Sequence, residues 1–89
     1  MEMKRELVLY TQTFCGYCDV MKAKLNEWGV PYTVANIEED DEAKAFIVLD
    51  EGHKTVPQLY YGSFNINRGI NTEEYTEEMF RESIERIDG

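Results

Sequence analysis

Cys15-Gly16-Tyr17-Cys18 places the only two thiols of the chain three positions apart. Ahead of them runs a short apolar segment, and behind them a segment of helical periodicity. That context selects a chemistry. A thiol at a helix N-terminus faces unpaired backbone N–H groups and the positive end of the helix dipole, and both favour thiolate over thiol. The thiolate is the attacking species in thiol–disulfide exchange. Cys15, at the turn, is expected to be exposed and activated. Cys18, one helical step inward, is expected to be buried and to resolve a mixed disulfide. Gly16 is expected to ease a tight turn between them.

Two other readings compete. A structural zinc site takes four protein ligands. The chain offers two cysteines and a single histidine, His53, so one closed zinc site is not expected. A pair of inert buried thiols is the blander alternative, and the strand–Cys-x-x-Cys–helix context weighs against it.

A second signal is Val56-Pro57. A proline is tolerated at the start of a strand, where it need not donate to the ladder. Paired with the cysteines upstream, it reads as a cis proline. The backbone N–H and C=O of Val56 would then be open to an extended thiol peptide.

Several elements must hold these residues. Leu7 to Thr11 is a continuous apolar run, expected to be a strand buried on both faces. Met21, Leu25 and Trp28 form one helical stripe, closed by Gly29 and Pro31. Tyr32 to Ile37 reads as a second strand. The acidic run Glu38 to Glu42 reads as a helix N-terminus, with Ala43, Phe46 and Ile47 facing inward and Gly52 at the end. Gln58 to Tyr61 is a third strand, Gly62-Ser63 a hairpin turn, and Phe64 to Asn67 a fourth strand. Asn71, with Glu74 as a capping-box partner, starts a last helix whose buried face is Met79, Phe80, Ile84 and Ile87. The order β-α-β-α-β-β-α predicts an α/β domain with a four-stranded mixed sheet flanked by helices on both faces.

With 89 residues, the chain is sized for one domain, 1–89. It carries 18 acidic against 9 basic residues, a formal charge of −9. Such a surface repels nucleic acid and anionic membranes and would steer basic patches on protein partners toward it. The charged Met1–Glu6 start and the absence of a long apolar stretch predict a cytoplasmic protein without a secretory signal.

Leu9-Tyr10-Thr11, Cys15-Gly16-Tyr17-Cys18 and Thr55-Val56-Pro57-Gln58, in this order and spacing, resemble the glutaredoxin family. The resemblance runs from Leu7 to the last helix. It implies a thioredoxin-like fold and an oxidoreductase that reduces protein disulfides and glutathionylated thiols with electrons from glutathione. No tightly held cofactor is implied, and the expected form is a monomer. By position, Cys15 resembles the nucleophile and Cys18 the resolving thiol. Tyr17 resembles the aromatic residue beside glutathione, Val56 the residue that pairs with its backbone, and Pro57 the cis proline. Ribonucleotide reductase is a common partner in the family.

The departures are specific. Gln12 stands where the family has Lys or Arg, with Lys54 or His53 as the nearby alternative cation. Asn67-Arg68-Gly69-Ile70-Asn71 replaces a Gly-Gly-x-Asp-Asp pattern, which removes the carboxylate that meets the amino group of glutathione. Asn71 remains to accept a hydrogen bond there, and Arg68 would attract an acidic partner. These changes keep a second reading open, a redoxin recharged by a thioredoxin-type reductase. Gly16 replaces a common Pro, and relatives without that Pro sometimes bind an iron–sulfur cluster between two subunits. That is a third reading.

Overall fold

Leu7–Thr11 forms β1, the strand that leads to the cysteines. In the computed structural model, which describes residues 2–89, β1 has a neighbour on each side. On one side β2 (Thr33–Asn36) runs parallel, with Leu9 opposite Val34. On the other β3 (Gln58–Tyr61) runs antiparallel, with Leu9 opposite Leu59. β4 (Phe64–Asn65) closes the order β2-β1-β3-β4. The sheet is mixed and four-stranded, as the element order predicts.

Three helices cover the sheet. α1 spans Gly16–Glu27 and α3 spans Glu77–Asp88. Their stripes, Met21 and Leu25 from α1 and Phe80 and Ile84 from α3, pack with Leu7, Leu9, Leu59 and Tyr61 into the main core. Each fully buried Leu, Met or Phe there stabilises by about 1.5–3 kcal/mol. The opposite face belongs to α2 (Asp41–Lys44), which continues as a π-helical segment, Ala45–Asp50. The ring of Phe46 lies 5.6 Å from Tyr10 and 5.2 Å from Tyr60. This is the thioredoxin-like arrangement.

Local chemistry explains the ends. Asp40 caps α2, its carboxylate accepting from the N–H groups of Glu42 and Ala43. Gly29 (φ 69°) and Gly52 (φ 71°) take the left-handed conformation that stops a helix cheaply.

The structure corrects several expectations. β1 alternates between buried and half-buried residues, because the α2 face covers Val8 and Tyr10 only in part. β2 and β4 are shorter than Tyr32–Ile37 and Phe64–Asn67. The acidic run starts the helix only from Asp41; Glu38 and Glu39 lie in the preceding turn. The last helix starts at Glu77, capped by the Thr76 hydroxyl at 3.2 Å from Met79 N. Asn71 instead caps a separate 3₁₀ turn, Thr72–Glu74, accepting from Glu73 N rather than forming a capping box with Glu74. Met79 lies about 100° round the helix from Phe80, off the face that Phe80 and Ile84 bury, and is 39% exposed.

A polar clasp ties the two ends of the chain. The Tyr61 hydroxyl accepts from Lys4 N (2.7 Å) and Arg5 N (3.2 Å) and donates to Asp88. Arg5 adds an ion pair to Asp88 at 2.5 Å.

Candidate active site

The loop between β1 and α1 is anchored to the end of β2. Thr13 N donates to Glu38 Oε1 (3.1 Å), Asn36 Nδ2 donates to Thr13 Oγ1 (3.2 Å), and Ile37 N donates to Thr11 O (2.8 Å). The turn itself is made at Phe14, a non-glycine residue at φ 55° with its ring fully exposed. Between the two cysteines, where Gly16 is expected to ease a tight turn, the chain is already helical. Gly16 is an ordinary helical residue, and a Cβ there would meet nothing within 4 Å.

Cys15 is the N-cap of α1. Its Sγ accepts the backbone N–H of Cys18 at 3.1 Å, which is one of the donors a helix start leaves unpaired. Cys15 and Cys18 are joined as a disulfide with Cα atoms 5.2 Å apart. Cys15 is half-buried, less open than expected, whereas Cys18 is 1% exposed. An incoming sulfur therefore reaches Cys15 first.

The Val56-Pro57 bond is cis. Pro57 is buried and Val56 half-buried. Among the described residues, neither the N–H nor the C=O of Val56 has a hydrogen-bond partner. Tyr17, Val56, Pro57 and Asn71 meet around one groove of about 200 Å³. Gln12 and Lys54 do not enter it; with His53 they line a neighbouring depression of about 200 Å³ that shares Val56 as a wall. Asn71 is at the groove, but its side-chain oxygen is occupied by Glu73 N at 3.0 Å.

His53 takes a structural role. Its Nε2 lies 2.7 Å from the Tyr60 hydroxyl, which donates to Glu51 Oε1 at 2.7 Å. Burial, then the Glu51 carboxylate, pushes the Tyr60 phenol well above its ordinary value. Among the described residues, no three His, Cys, Asp or Glu side chains cluster as metal ligands.

Three positions escaped the sequence reading. Lys24 of α1 reaches across to the 3₁₀ turn and donates to the carbonyls of Thr72 (2.7 Å), Glu73 (3.2 Å) and Tyr75 (2.8 Å). Asn67 is 3% exposed and bonds to the backbone of β3. Glu38 pins the cysteine loop. The partners of Lys24 and Glu38 lie 48 and 25 positions away and the backbone partners of Asn67 eight and ten, and no local pattern marks any of the three.

This geometry can be set beside known proteins. A family model described as Glutaredoxin matches residues 7–64, more than half of the chain. Glutaredoxin 1 of Rickettsia felis is 35% identical over 63 residues, covering 67% of this chain and 61% of that protein. The N-acetyl-S-hydroxy-L-cysteine reductase of Bacillus subtilis is 28% identical over 64 residues, covering 72% and 69%. The crystal structure of a buckwheat glutaredoxin–glutathione complex superposes with a TM-score of 0.59 at 26% identity, over 70% of this chain and 59% of that one. The chain thus spans about three fifths of the Rickettsia and buckwheat proteins. Sheet order, the half-open Cys15 above the buried Cys18, the cis Val56-Pro57 bond and the family match agree: the chain belongs to the glutaredoxin family.

Proposed function

We propose that this chain is a thiol–disulfide oxidoreductase in which Cys15 attacks and Cys18 resolves, with glutathione as the reductant. One observation carries the reading: a half-buried Cys15 at the N-terminus of α1, its Sγ accepting Cys18 N–H at 3.1 Å, with Cys18 fully buried behind it. In the reduced protein the same N–H would support a thiolate.

The Cys15 thiolate attacks one sulfur of a substrate disulfide, forming a mixed disulfide and releasing the other sulfur as a thiolate. Cys18 then attacks the Cys15 sulfur, releasing the second substrate thiol and closing the Cys15–Cys18 bond. Two glutathione thiols, each giving one electron, return the pair to dithiol and leave as glutathione disulfide. A glutathionylated substrate needs Cys15 alone. The groove of Tyr17, Val56 and Pro57 supports glutathione as the thiol, since a γ-glutamyl-cysteinyl backbone can pair with Val56 as a strand would.

A dedicated or thioredoxin-type reductase is the second reading. It is favoured by the occupied Asn71 oxygen and by the separation of Gln12 and Lys54 from the groove. Both features reduce the polar anchors for the charged ends of glutathione.

Cys18→Ser tests the roles. It is expected to abolish turnover of a protein disulfide while partly sparing a glutathione mixed disulfide, and Cys15→Ser to abolish both. NADPH oxidation, coupled in parallel through glutathione reductase or thioredoxin reductase, identifies the electron source. Full protein-disulfide activity in Cys18→Ser would sink the assignment.

A further inference from the structure

β3 has a partner on its outer side for only two register pairs, Tyr60 with Asn65 and Tyr61 with Phe64. One more bond follows, Ile66 N to Leu59 O at 2.9 Å. Beyond it the chain turns away through Arg68 and Gly69, both left-handed (φ 47° and 77°). Leu59 N–H and Pro57 C=O would then be orphaned next to the core. The side chain of Asn67 takes both. Its Oδ1 accepts from Leu59 N at 3.2 Å, and its Nδ2 donates to Pro57 O at 3.3 Å. These two groups flank Gln58, so one side-chain amide spans the positions that a residue of a parallel strand would bridge.

The amide orientation follows from the network, because a flipped Asn67 would aim its NH₂ at the Leu59 N–H. Asn65 Nδ2 donates to the same Oδ1 at 2.8 Å and to Gln58 Oε1 at 3.3 Å. Gln58 Nε2 in turn donates to Thr55 O at 3.0 Å. The loop is therefore tied at Thr55 and at Pro57, and between the ties the backbone of Val56 is left without partners among the described residues.

We infer that Asn67 is a positioning residue: its side-chain amide replaces a missing strand residue beside β3 and so holds Val56-Pro57 in place to pair with the backbone of a peptide disulfide. The inference rests on the oxidoreductase reading above. It concerns substrates with a peptide backbone and leaves attack on a simple dialkyl disulfide largely to Cys15.

The test is single-turnover oxidation of the reduced protein by two substrates, a glutathionylated peptide and bis(2-hydroxyethyl) disulfide. In each case the dithiol becomes the Cys15–Cys18 disulfide and the substrate leaves as two thiols. In Asn67→Ala the rate constant with the peptide is expected to fall about 5–30-fold, the factor for one or two hydrogen bonds. With the dialkyl disulfide it is expected to change less than about twofold. Asn67→Asp keeps the acceptor for Leu59 N–H and loses the donor to Pro57, so the same split is expected. It also decides the matter if the alanine variant does not fold. Equal slowing of both substrates, wild-type rates in a folded variant, or failure of both variants to fold overturns the inference. Failure of the wild-type protein to react with either substrate overturns the oxidoreductase reading instead.

Discussion

Replacing Lys24 by Met removes an ammonium while keeping the side-chain length and helix propensity. All three N–H donors of that ammonium are used, on Thr72 O, Glu73 O and Tyr75 O. The bonds to Thr72 and Tyr75 are partly buried and the one to Glu73 is exposed. At about 1.5 kcal/mol each, the low end for a charged donor, the two partly buried bonds sum to about 3 kcal/mol. Releasing a long side chain returns roughly 1 kcal/mol of entropy. The net loss is about 2 kcal/mol, or about 8–16 °C in Tm for a domain of this size. Urea unfolding measures it, with an unchanged slope showing that the native state has kept its compactness. Lys22→Met is the matched control, since Lys22 has only a 4.0 Å exposed pair with Asp19, and a change below about 0.5 kcal/mol is expected there. Because Asn71 and Thr72 line the groove, Lys24→Met should also raise the KM for the thiol that docks there, glutathione on the reading proposed above. A stability loss no larger than that of the control would refute the argument that this cation docks the Thr72–Tyr75 segment onto α1.

Two further outcomes concern pH. The Tyr61 hydroxyl, helped by the backbone at Lys4 and by Arg5, holds the Asp88 carboxyl below its ordinary value. The folded pKa is the lower one, so the contribution is present above the unfolded value of about 3.9 and is lost as pH falls through the folded pKa. Urea midpoints between pH 2.5 and 6 should therefore show Asp88→Asn converging on wild type at the acid end, and a constant gap would contradict this. Burial holds the phenols of Tyr10, Tyr60 and Tyr75 above their ordinary values. Their contribution is present below about pH 10 and declines above it. Absorbance at 295 nm should show these three of the six tyrosines ionising late, and one common midpoint near 10 in the folded protein would contradict that.

What the sequence made legible was local. The apolar run into Cys15, the stripe of Met21 and Leu25 and the glycine after Trp28 each act within one or two turns, so reading along the chain found β1 and α1. The same reading misplaced the last helix. Asn71 with acidic residues behind it is a sound cap, and it does cap a turn. Lys24, 48 positions earlier, binds that turn's Thr72 carbonyl, and the helix restarts at Thr76. The pairing of Asn67 with Pro57 and Leu59 was equally hidden, because a short amide bears no mark of whether it will stand in for backbone. At the site, the cysteine pair and the proline loop were legible as motifs. The distribution of Gln12 and Lys54 into a separate depression depended on the path of α2 and the loop after it.

The clasp of Lys4, Arg5, Tyr61 and Asp88 sits where Leu7 pairs with Tyr61, and β1 runs from there to Thr11 beside the cysteine loop. Four strand steps put about 13 Å of sheet between the two. Lys4 and Asp88 thus meet at one corner of the sheet, and the cysteine loop lies at the far end of β1. Immobilised on a surface through that corner, the protein would carry its redox loop about 13 Å of sheet away from the attachment.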